Sequence, residues 1–111
     1  MSIQTGSIPP GEALLIHALV TPTEQGIASR VLARTAGGNL TLFAFDAGQE
    51  LSEHTAPFDA LVVVLDGDAD IKIADERFKV QQGETITLPA NRPHAVRAST
   101  KFKMLLIMIR A

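Results

Sequence analysis

From Ser29 onward the chain alternates apolar and polar residues over short runs that end in turn formers. Ala69–Ala74 (ADIKIA) is the plainest run, with Ile71 and Ile73 on one side and Asp70 and Lys72 on the other. A period of two marks a half-buried strand, because successive side chains of extended backbone point to opposite faces. Arg77–Gln81 repeats the pattern with Phe78 and Val80, and Leu40–Asp46 (LTLFAFD) has the β-branched and aromatic character of a strand. Ser29–Thr35 reads as a strand with Arg30, Leu32 and Arg34 on one face. Thr85–Leu88, His94–Ser99, Phe102–Arg110 and an extended stretch from His54 to Leu65 complete the set. Gly37-Gly38-Asn39 and Asp66-Gly67 are hairpin signals; Asp75-Glu76 and Gln82-Gly83 are turns. About eight short strands at near-even spacing predict an all-β sandwich or jelly-roll barrel. No intervening segment is long enough for a helical crossover, which disfavours a parallel sheet.

Before the strands the pattern is weaker. Residues 1–11 carry Ser, Gly and Pro and read as a mobile or loosely docked arm, leaving 12–111 as the folded domain. Glu12–Val20 (EALLIHALV) is too short a run to show a period, so a short helix and an extra strand both remain open. Thr21–Gly26 reads as a loop.

Composition narrows the function classes. The 111 residues suit one domain, 46% apolar and 20% charged. A net charge of −2 gives no basic footprint for nucleic acid or anionic lipid. The longest apolar runs, Ala60–Leu65 and Met104–Ile109, are too short to span a bilayer. There is no signal-peptide pattern at the start and no cysteine anywhere, so a cytoplasmic protein without disulfide or thiolate chemistry is expected. No partner in nucleic acid or membrane is expected.

Two segments carry the chemistry. The first is Gly48-Gln49-Glu50-Leu51-Ser52-Glu53-His54-Thr55-Ala56, followed by an apolar strand ending at Gly67. The second is Gly83-Glu84-Thr85-Ile86-Thr87-Leu88-Pro89-Ala90-Asn91-Arg92-Pro93-His94. Together they resemble the two signature motifs of the cupin superfamily, over roughly residues 28–110. The first family motif sets a glycine five residues before a His-x-His pair, then a Glu and a closing Gly. The second runs Gly, five residues, Pro-x-Gly, two residues, His. The resemblance implies a small cupin barrel, a double-stranded β-helix. Family members hold Fe, Mn, Ni or Zn with three His and one Glu. Here Ala56 stands in place of the second His and Ala60 in place of the Glu. Asn91 replaces a glycine, a mild change because Asn tolerates left-handed backbone.

If a strand runs regularly from His54, then Ala56, Phe58, Ala60, Val62 and Val64 share its face. His94 likewise shares a face with Val96 and Ala98. Both histidines then enter the barrel interior, the usual form of a small-molecule pocket. The expected lining is His54, His94, Phe58, Phe102, Met104 and Met108. A metal, if present, is one divalent transition ion (Zn, Fe, Ni or Mn) held weakly by His54 and His94, since a tight site takes three or four protein ligands. Asp59 and Glu53 alternate away from it. His17 reads as a packed or interface residue. Arg97, Lys101 and Lys103 read as a solvated edge.

The expected function is therefore a cupin with a small-molecule pocket, metal-free or weakly metallated, its ligand unspecified. The alternative is a metal-dependent dioxygenase, isomerase or lyase acting on a small organic acid or enol. A regulatory subunit with an incidental pocket is a third. No nucleophile elbow, phosphate loop or paired carboxylates present themselves, so enzyme status stays open. Leu61, Val63, Leu65, Leu105, Ile107 and Ile109 are apolar on the face away from the interior. A second subunit or the Glu12–Val20 segment must cover them, and a homodimer is expected.

Overall fold

The computed structural model describes residues 8–110. Among them run nine strands: β1 (Ile27–Thr35), β2 (Gly38–Phe45), β3 (Glu50–His54), β4 (Ala60–Asp66), β5 (Asp68–Ile73), β6 (Glu76–Gln81), β7 (Thr85–Leu88), β8 (His94–Arg97) and β9 (Phe102–Ile109). They form two antiparallel sheets, a five-stranded one ordered β1-β2-β9-β4-β7 and a four-stranded one ordered β3-β8-β5-β6. The expected all-β jelly roll is what the chain builds. The arm expected at residues 1–11 falls largely outside the described residues. Glu12–Val20 forms neither a full helix nor a strand, only a short 3-10 helix at Ile16–Leu19.

Turn chemistry decides the connections. β1 and β2 form a hairpin in which Gly38 pairs with Thr35. Gly38 has φ of 152°, and a Cβ there would collide with the Met108 carbonyl of β9. β5 and β6 also form a hairpin, with Ala74 left-handed at φ 53°. Asp66-Gly67 does not. β4 and β5 lie in different sheets, and Gly67 is a corner where the chain crosses between them. Its φ of 73° and the close Lys101 carbonyl require glycine there, which explains the residue without a hairpin.

Two strand assignments are corrected. His54 to Leu65 is not one strand, since β3 ends at His54 in one sheet and β4 begins at Ala60 in the other. Residues 55–59, with Pro57 among them, bridge the sheets. In β1 the pairing slips between Val31 and Ala33. Arg30 lies opposite Leu42, whereas Arg34 lies opposite Asn39. Directly opposed residues share a face. Leu42 belongs to the outer apolar cluster, while Asn39 opposes inward-facing Met108, so the bulge sends Arg30 outward and Arg34 inward.

The interior has two halves along its axis. At one end Phe45 opposes Phe102, and the next layer joins Phe43, Met104 and Val64. The Phe45 and Phe102 rings stack with centroids 4.4 Å apart. Phe102, Met104, Val64, Ile71, Val96 and Ala98 are buried. Toward the other end lie Thr41, Leu106 and Val62, then Asn39, Met108 and Ala60. Here Leu106 and Met108 stay partly exposed although they face inward. One half is a closed core; the other is open.

The outer face of the larger sheet carries a second cluster. Val20, Leu19 and Ile8 pack on Leu32, Leu40, Leu42, Ala44, Leu65 and Leu105. The N-terminal segment thus covers part of the face left apolar by the sequence pattern. Leu61, Ile107 and Ile109 remain uncovered and line an open cavity of about 370 Å³ with Asp59, Ala60 and Thr87. Ile109 is 67% exposed.

Candidate functional site at the open end of the barrel

His54 closes β3 and His94 opens β8, and the two are directly paired across the strands. Regular pairing does not put them there. Glu50 opposes Arg97 and Leu51 opposes Val96, so an unbroken ladder would set Glu53 opposite His94. The ladder slips between Leu51 and His54, and the extra residue in β3 brings His54 inward instead. Glu53 points out and meets Lys72 Nζ at 3.7 Å. The bulge also takes backbone groups out of the ladder, and His54 uses one, its Nδ1 donating to the Ser52 carbonyl at 2.8 Å. Across the strands, His94 Nδ1 donates to the Arg92 carbonyl at 3.3 Å.

Those contacts fix the tautomers. A carbonyl only accepts, so each Nδ1 must carry the hydrogen, and in a neutral ring Nε2 then presents a lone pair. The two Nε2 atoms lie 3.2 Å apart. The rings meet edge to face, 72° apart, with centroids separated by 4.4 Å. Burial, and then the neighbouring His54, hold the His94 pKa below its ordinary value of 6.5. His94 is only 4% exposed and therefore neutral near pH 7, whereas His54 opens to solvent. When both rings are neutral the two Nε2 lone pairs face each other, and a donor placed between them joins the pair.

The corner that delivers His94 is tightly held. Asn91 has φ of 63°, the left-handed conformation expected where the motif has glycine. Its N–H donates to the Ala56 carbonyl at 2.7 Å, tying the corner to the segment that follows His54. Asp59 Oδ1 accepts from the Ala90 N–H at 2.8 Å, so this carboxylate braces the corner. No group of three or more His, Cys, Asp or Glu side chains gathers for a metal among the described residues. With alanine at 56 and 60, the residues do not make the four-ligand centre that the motifs imply.

The other expected lining residues separate by half. Met108 lies in the open half, packed against the edge of the core. Phe102 and Met104, each 1% exposed, belong to the closed half. Phe58 is half-buried in the bridging segment, with the Arg110 guanidinium 5.5 Å above its ring. His17 is exposed in the 3-10 helix, and its carbonyl accepts from Lys103 Nζ at 2.7 Å. Four polar residues escaped the sequence pattern: Asn39, Thr41, Arg34 and Arg110. Arg110 has the same parity as Phe102, Met104 and Met108, a signal available in the alternation had it been followed past the strand.

Residues 41–110 match the family described as the cupin domain. The chain is a cupin. Several solved structures share its fold over most or all of its length. A conserved protein of unknown function from Streptococcus pyogenes is 34% identical, with a TM-score of 0.90, covering 100% of this cupin and 96% of that chain. A cupin superfamily protein from Desulfitobacterium hafniense is 26% identical, with a TM-score of 0.91 and full coverage of both chains. A cupin 2 conserved barrel domain protein from Leptotrichia buccalis is 40% identical, with a TM-score of 0.82, over 85% of this cupin but 46% of that longer chain. No curated protein matches. These likenesses establish the barrel; the chemistry of this cupin rests on its own residues.

Proposed function

We propose that this cupin binds a small molecule in the open half of its barrel and that His54 and His94 receive a hydrogen-bond donor from it. The observation that carries the reading is the convergence of two tautomer-fixed Nε2 atoms at 3.2 Å beside partly exposed apolar walls. Two facing acceptors without a donor are unfavourable, and a ligand hydroxyl, enol or N–H relieves them. Leu106, Met108 and Phe58 supply the apolar contact usual for such pockets. Without a carboxylate beside either imidazole, the pair is a recognition element, and no reaction is assigned to it. We read this cupin as a cytoplasmic homodimer. Support for the dimer comes from Leu61, Ile107 and Ile109, left uncovered on the larger sheet, with Leu14 and Leu15 exposed on the N-terminal segment.

The test is ligand-dependent thermal stabilisation of untagged protein in the presence of chelator. A ligand at one hundred times its Kd should add about 2.7 kcal/mol to stability. The gain should vanish in His94→Ala and shrink in His54→Ala. A library of small polar molecules that leaves both wild type and variants unmoved would remove the reading.

The same spacing supports a second one. Two imidazole ligands at about 2.0–2.1 Å from one tetrahedral ion stand about 3.4 Å apart, close to the 3.2 Å found here. A weakly held divalent ion completed by ligand oxygens would make this cupin an enzyme on small acids or enols. Metal content by mass spectrometry, in wild type and in both histidine variants, separates the two readings.

A further inference from the structure

At the open end, the β1–β2 hairpin and the end of β9 enclose a cavity of about 300 Å³ lined by Arg34, Thr35, Gly38, Asn39 and Arg110. Its chemistry is one-sided. Two guanidinium groups share the concavity, and among the described residues no carboxylate lines it. The Asn39 Oδ1 accepts the Thr41 hydroxyl at 3.1 Å, which leaves the Asn39 amide N–H₂ as its outward group. Thr35 Oγ1 already accepts the Gly37 N–H at 3.1 Å, so its own hydroxyl hydrogen is available. Arg110 lies over the Phe58 ring. Stacking of that kind uses the face of a guanidinium and leaves its in-plane N–H groups for an oxyanion. The backbone there is pinned, with the Arg110 N–H donating to the Gly37 carbonyl at 2.8 Å.

A larger cavity on the outer face of the four-stranded sheet makes the contrast. It is lined by Lys72, Arg77, Lys79 and Arg97, but Glu50 and Asp70 stand among them. Across the strands Glu50, Arg97, Asp70 and Lys79 follow one another in register. Lys72 and Lys79 meet Glu53 and Asp68 as well. That face answers its own charge; among the described residues the hairpin cavity does not.

We infer that Arg34, Arg110 and Asn39 form a carboxylate-binding rim to the barrel, so that the ligand is a small organic acid. Its acid group is held at the rim and its hydrogen-bond donor faces the His54–His94 pair. Planar carboxylates match the forked donors of arginine better than any neutral group does. The bridging segment connects the two ends, since His54 precedes it and Phe58 within it carries Arg110. The inference rests on the proposed pocket for the second half of that ligand, and on the hairpin cavity alone for the first.

Calorimetric titration of the full-length, untagged protein at fixed ionic strength tests it, with malate, succinate and inorganic phosphate as probes. Arg34→Gln and Arg110→Gln change exposed side chains, and their unfolding temperatures should match wild type. The expected result is carboxylate binding that weakens at least tenfold in each arginine variant, with succinate retained in His54→Ala and malate weakened there. Carboxylates that bind wild type and both arginine variants equally, yet lose affinity in His54→Ala, would overturn the rim and leave the barrel pocket standing. Phosphate binding tighter than either acid would overturn the choice of carboxylate. Failure of all three anions, with neutral polyols still stabilising the protein, would also overturn the rim and spare the pocket.

Discussion

The two halves of the barrel interior are built from the same strands and differ in what the chain asks of them. Around Phe45, Phe102 and Met104 the inward side chains are apolar and most are fully buried. Toward the other end, Thr41 and Asn39 face inward on β2, four and six residues from Phe45, and His54 and His94 face inward on β3 and β8. The first half is where burial stabilises the fold. The second holds polar groups whose hydrogen bonds must be completed, and there the fold gives up apolar packing. One strand can serve both ends because alternation fixes only which face is inside, and the residues chosen along that face set the rest.

Variants at the two ends should separate these roles. Phe102→Ala removes the ring stacked on Phe45 and should cost about 3–5 kcal/mol, read as a fall in denaturant midpoint at unchanged slope, with ligand binding per folded molecule unaltered. His94→Ala comes next. It empties a buried position and takes the imidazole donor from the Arg92 carbonyl, so a loss of about 1–3 kcal/mol is expected. His54→Ala, at an exposed position, should stay within about 0.5 kcal/mol while still weakening ligand binding. A stability loss for His54→Ala as large as for His94→Ala would break the distinction between a buried anchor and an open partner.

Acid sharpens the same comparison. Since the folded protein holds His94 below its ordinary value of 6.5, the unfolded chain takes up that proton first. The contribution of His94 is therefore complete above about pH 6.5 and is lost as pH falls from there through the lowered folded value. Denaturant melts between pH 7.5 and 5 should show this slope in wild type and a flatter one in His94→Ala. Asp46 works at the opposite end and lower on the scale. Its carboxylate accepts from the Gln25 and Ala47 N–H groups and is held below 3.8. Asp46→Asn should reduce any further loss below that pH. Met108→Ala should have the smallest effect on stability, about 1 kcal/mol or less since its surroundings are already open, and should show instead in apolar ligand affinity.

Much of this was legible in the residues. The alternation of Ala69–Ala74 and Phe102–Arg110 located the strands and their inner faces, and the two glycine-to-histidine spacings marked the histidines that meet. What could not be read were the irregularities. The bulges in β1 and β3 each change which face later residues occupy, and neither marks the pattern, because Val31, Leu32 and Ala33 are apolar in succession while Ser52, Glu53 and His54 are polar in succession. Arg34 was assigned with Arg30 for that reason. Gly67 resembled a hairpin glycine because a sheet-to-sheet corner asks for the same positive φ. The bridging residues 55–59 read as strand because apolar residues continue through them.

The extra residue in β3 has one more consequence. The carbonyl that fixes the His54 tautomer is a backbone atom of Ser52, available because the ladder is interrupted there. Deleting Ser52 would restore regular alternation and still leave His54 opposite His94. Every side chain that a substitution scan identifies as functional would survive, yet the ring would lose the partner that decides which nitrogen is bare. The presentation of the His54 ring is thus encoded partly in the count of residues between Leu51 and His54. Replacing side chains one at a time would never expose it.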